Sequence, residues 1–142
     1  MNDRPIIIHS LEDAKTAIAV ASQLGCPVTL QSAPGPAAYL GPQVFKDIVA
    51  EASVGQDYTA VRVVFDCGDD PGLALAALRH GLKAIRVDAP AETLEKIADI
   101  AAQTQAQVEP AQPDKNRSRP VVLDILDLDD PQTAITSWLS ED

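Results

Sequence analysis

Short apolar runs alternate with longer amphipathic segments along the first 110 residues. "PIIIHS" (5–10) leads into "LEDAKTAIAVASQLG" (11–25), and "PVTLQS" (27–32) into "GPQVFKDIVAEAS" (41–53). "AVRVVFDC" (60–67) leads into "DDPGLALAALRHG" (69–81), "KAIRVDA" (83–89) into "PAETLEKIADIAAQT" (90–104), and "AQVEP" (106–110) closes the series. The short runs, rich in β-branched residues, read as buried strands. The longer segments carry helical spacing, with Leu11, Ala14, Ala17, Ile18, Ala21 and Leu24 on one stripe and Leu94, Ile97, Ala98 and Ala101 on another.

The punctuation agrees with this division. Ser10 with Asp13 three residues on resembles a capping box. Gly25 and Gly81 stand where helix C-termini favour a left-handed residue. Pro42, Pro71 and Pro90 suit first helical turns. Strands that alternate with helices require crossover connections, hence parallel pairing. The expected fold is α/β: βαβ units forming a mainly parallel sheet of four to five strands, either open and flavodoxin-like or a half-barrel.

Past Glu109 the pattern changes. "PAQPDKNRSRP" (110–120) has three prolines and no apolar period, so the α/β domain is expected over 1–110 with a basic, Pro-rich linker over 111–120. Residues 121–142 form an acidic tail with six acids and no base, yet it holds Trp138 and seven aliphatic residues from Val121 to Ile135. Asp130 before Pro131 suits an N-cap and first helical position. A tail this apolar is expected to dock, on its own domain or on a neighbouring subunit, and an extended "VVLDIL" can add to a sheet edge. The expected partner is therefore a second copy of the chain.

Charge narrows the partners further. The net charge of −10 repels phosphate backbones and anionic lipid surfaces, which disfavours nucleic acid and membrane partners. The first apolar run holds only three isoleucines, too short for a leader or a span. With two cysteines expected at opposite ends of the sheet, a disulfide is not anticipated, and a cytoplasmic setting fits.

In parallel α/β folds ligands bind beyond the carboxyl ends of the strands. Here the apolar runs end on His9, Gln31, Asp66 with Cys67, Asp88 and Glu109, and Arg86 shares a strand face with Asp88. As a site, the row assigns acid/base work to His9 and Asp66. Arg86, Asp88 and Gln31 would then bind substrate, Arg86 by gripping a carboxylate or phosphate. Tyr39, in the long loop "SAPGPAAYLGP" (32–42), would join them from a lid. The competing structural account is internal pairing of Arg86 with Asp66 or Asp88, with Tyr39 packed on the core. Asp66, Asp69 and Asp70 also raise a hard-cation site, although Asp69 or Asp70 before Pro71 is explained by helix-start chemistry. No HExxH, GxSxG, GK[ST] or clustered Cys/His set occurs, so neither a metal nor a cofactor is expected.

The cadence of "ALAALRHGLKAIRVDA" is similar to that of phosphate-handling barrel aldolases of the keto-deoxy-phosphogluconate kind. That resemblance would imply a Schiff-base lysine within a strand. Lys83 stands at the start of its strand and Lys15, Lys46 and Lys96 on helices, so activity and site residues do not carry over. Two functions follow as expectations. The first is a non-catalytic binding or interaction protein that self-associates. The alternative is a lyase or isomerase acting on a small anionic metabolite.

Overall fold

The structure, a computed structural model, describes residues 4–33, 41–56, 60–109 and 122–140. Five strands and four helices alternate as the sequence predicts: β1 (Pro5–Ile7), α1 (Leu11–Leu24), β2 (Val28–Gln31), α2 (Pro42–Ala52), β3 (Val61–Asp66), α3 (Pro71–Arg79), β4 (Ala84–Arg86), α4 (Ala91–Gln103) and β5 (Gln107–Glu109). The tail adds β6 (Leu123–Asp124) and α5 (Pro131–Ser140). The sheet therefore has six strands, all parallel, in the order β5-β4-β3-β2-β1-β6, one strand more than expected.

That order departs from the flavodoxin-like one. From β1 to β5 the chain steps one strand sideways each time, always in the same direction. Right-handed crossovers that never reverse place every helix on the same face. A flavodoxin-like sheet reverses once and is covered on both faces. Here the helices pack in a single row, α4-α3-α2-α1-α5. The arrangement is a singly wound parallel sheet, the winding that a half-barrel also uses.

The core lies between the sheet and this row. Ile6, Leu30, Phe65 and Ile85 point into it from the strands, as does Cys67, and Ile18, Phe45, Leu78, Ile97 and Ile135 meet them from the helices. Phe45 of α2 and Phe65 of β3 pack as a tilted ring pair with centroids 5.7 Å apart. The tail belongs to this core. Ile135, Trp138 and Leu139 bury α5 against α1, and Arg4 lies over the Trp138 ring at 5.7 Å.

Local chemistry sets the helix ends that position the strand tips. Ser10 Oγ accepts the Asp13 N–H at 3.1 Å, while the Asp13 carboxylate accepts the His9 N–H at 2.8 Å. This reciprocal cap holds the backbone just beyond β1. Gly25 and Gly81 take left-handed φ values of 67° and 85° at the ends of α1 and just past α3. Asp70 caps α3 through the Leu73 N–H, and Asp130 caps α5 through the Thr133 N–H. Pro42, Pro71 and Pro131 open their helices, but Pro90 sits one residue outside, at the N-cap of α4. No described helix is long and apolar enough to cross a membrane.

Candidate functional site at the carboxyl ends of the strands

Alternation along a strand sends successive side chains to opposite faces. With Ile6, Leu30, Phe65 and Ile85 turned to the helices, the other face receives Ile7, Thr29, Gln31, Val64, Asp66, Ala84, Arg86 and Glu109. Gln31, Asp66, Arg86 and Glu109 are the last residues of four adjacent strands. Asp66 stands opposite Arg86 in register, and Arg86 opposite Glu109. They form a polar row across the sheet on the face away from the described helices.

Gln31 and Asp66 are buried, and Arg86 and Glu109 half-buried. Gln31 is 0% exposed and Asp66 6%. Gln31 Nε2 donates to Asp66 Oδ2 over a long 3.5 Å, the Gly68 N–H donates to Asp66 Oδ1 at 2.9 Å, and the Asp66 N–H donates to Ser32 Oγ at 2.7 Å. Burial raises the Asp66 carboxyl above its ordinary value of 3.8; the Gly68 N–H and the Arg86 guanidinium offset part of that rise. Glu109 pairs with Arg62, whose side chain leaves β3 on the same face. The acids and arginines therefore neutralise one another. Gln31 Oε1 is a buried acceptor with no hydrogen-bond partner among the described residues. Leaving such a group unmet costs about 1–3 kcal/mol.

The other candidate residues are distributed differently. His9 Nε2 lies 2.7 Å from Asp124 Oδ1 of β6, on the side of β1 that faces away from β2 and β3. In register His9 is level with Asp66 but two strands away, roughly 10 Å along the sheet. The structure thus gives His9 a carboxylate partner in the tail and does not join it to Asp66. Asp88 is exposed, and its N–H donates to Gly68 O at 2.7 Å. Tyr39 lies outside the described residues. Cys67 is buried on the helix side, opposite Asp66, and burial, with the charges of Asp66 and Asp70, pushes its thiol up to about 12. It is a core side chain, protonated at neutral pH and not a nucleophile. Among the described residues no group of three or more His, Cys, Asp or Glu side chains gathers to hold a metal; Asp66 and Asp70 serve the polar row and the α3 cap.

Two members of this region escaped the sequence reading. Arg62 alternates with Val61 and Val63, the period-2 signal for a cation on the opposite face. Asp124 gave no such signal, because its meeting with His9 depends on β6 pairing with β1. The chain matches no family model and no curated protein.

Asp66 yields a prediction of definite sign. Its native carboxyl takes up a proton at higher pH than the unfolded one, so it opposes folding above its native pKa, and that penalty fades as pH falls toward 3.8. Relative to Asp66→Asn, the wild-type protein is expected to lose stability as pH rises from about 4 to about 7. Urea unfolding at several pH values measures the difference. A wild-type advantage that grows with pH would show that Arg86 outweighs burial.

Proposed function

We propose that the protein is a non-catalytic binding protein for a small anion that also carries a hydrogen-bond donor, such as a hydroxy acid. The supporting observation is Gln31, fully buried at the strand ends with its Oε1 unmatched. An acceptor kept in that state fits a ligand O–H or N–H. Arg86, flanked by Asp66 and Glu109, is the group suited to the anionic end through its planar fork.

The alternative, a lyase or isomerase, requires an acid/base pair on one substrate. His9 held by Asp124 is an oriented imidazole and favours that reading, but its distance along the sheet from Asp66 favours binding without chemistry. Both readings are tested by thermal melting with malate and with glycerate, followed by recovery of the compounds. Binding predicts a midpoint that rises with ligand concentration in wild type, not in Gln31→Met, with the ligand recovered unchanged. Conversion of the ligand would put the enzyme first. Melting unchanged by either compound would leave the row as internal charge pairing and overturn the proposal.

Self-association belongs to the same proposal and rests on the edge beside β1. Leu126 and Leu128, directly after β6, are 53% and 40% exposed. Because α5 is part of the core, deleting the tail would unfold the chain, whereas charges at these two surface positions spare the fold. Sedimentation is expected to give an oligomer for wild type and a monomer for Leu126→Asp/Leu128→Asp. A wild-type monomer at high concentration would contradict it.

A further inference from the structure

A second concave region lies at the opposite, amino-terminal ends of the strands. It is a groove of about 580 Å³ lined by Lys46, Val49 and Ala50 of α2, Val61, Arg62 and Val63 of β3, Gly81, Leu82, Lys83 and Ala84 leading into β4, and Gln105 and Gln107 beside β5. Its volume falls in the range of small-molecule sites, roughly 300–1,000 Å³. None of these lining residues is acidic, in a chain with 21 acids and 11 bases. Arg62 is paired with Glu109, which leaves Lys46 and Lys83 as the charges that set the sign of the groove.

Each lysine also finishes a helix. Lys46 Nζ donates to His80 O at 3.0 Å and Lys83 Nζ to Thr104 O at 2.8 Å. One such bond uses one of the three donors on an ammonium group. Gly81 makes room for Lys46: a Cβ there would stand 2.9 Å from Nζ.

The sheet register supplies an independent observation. β4 pairs with β3 only at Phe65 and Asp66, whereas β2 pairs with β3 from Val61 to Val64. Val28 N donates to Ala60 O and Ser32 N to Val64 O, so the even-numbered residues turn their backbone groups toward β2. In a parallel strand the odd-numbered ones then point the other way. The backbone N–H and C=O of Val61 and Val63 thus face the groove, before β4 begins.

We propose that this groove binds an amphipathic anion, with an apolar body against Val49, Leu82 and the valines of β3 and a single anionic head on Lys46 and Lys83. Apolar walls supply the burial, and two ammonium groups in an otherwise acidic protein supply the charge match. The site is separate from the strand-end row.

Calorimetric titration with octanoate, octanol and acetate tests the proposal. Octanoate is expected to bind wild type at one site, more tightly than either octanol or acetate. Lys46→Gln/Lys83→Gln should weaken it about tenfold or more, while the charge-matched Lys15→Gln/Lys96→Gln, on helices outside the groove, should bind as wild type does. Because the groove lysines also cap helices, Ala50→Glu provides a second variant. It keeps both lysines, places a carboxylate at an exposed lining position one helical turn from Lys46, and should also weaken octanoate about tenfold. Gln31→Met should leave octanoate binding unchanged, which separates this outcome from that of the strand-end site. Equal binding by all variants, octanol binding as tight as octanoate, or no binding at all would overturn the proposal.

Discussion

One-directional winding is the constraint from which the rest of this structure follows. Each right-handed crossover carries the chain one strand further from β1, so α1 to α4 fall on one face and α5 joins them by packing on α1. The alternation of side chains along each strand then acquires two meanings. One set of positions meets the helices and must be apolar, as Ile6, Leu30, Phe65 and Ile85 are. The other set is mixed: Ile7, Val64 and Ala84 are buried there too, and beside them the chain places Thr29, Gln31, Asp66, Arg86 and Glu109.

Burial of that second set requires internal neutralisation. A charge removed from water costs several kcal/mol unless it is paired. The row meets this condition strand by strand: Asp66 beside Arg86, Arg86 beside Glu109, and Glu109 with Arg62. The charges cancel, but Gln31 Oε1 does not find a donor among the described residues. At the other end of the sheet the balance is different, because helix C-termini attract cations. Lys46 and Lys83 meet the carbonyls of His80 and Thr104 there and leave a basic groove in an acidic protein.

Much of the fold was legible along the chain, since its determinants are local. Ser10, Gly25, Asp70 with Pro71, Gly81 and Asp130 with Pro131 act within a turn of their own positions, and each is read from type and spacing. The strand-end residues Gln31, Asp66 and Glu109 were legible for the same reason, since each ends an apolar run, while Arg86 was read from its place on the strand face it shares with Asp88. Asp66 and Cys67 could have been separated as well, because neighbours in a strand face opposite sides. What the chain did not disclose is lateral position. His9 meets Asp124 across 115 residues of sequence, a contact created when β6 takes the edge beside β1 instead of beside β5. The pairing of Arg62 with Glu109 depends on β5 lying two strands from β3, which no local pattern encodes.

The strand-end side chains form one coupled row on the face away from the described helices. A double-mutant cycle between Asp66→Asn and Arg86→Met, followed by urea unfolding, measures that coupling directly. The register predicts an interaction energy of about 0.5–3 kcal/mol between the two positions. Additive effects, within about 0.3–0.5 kcal/mol, would mean that the two side chains do not sense each other and would contradict it.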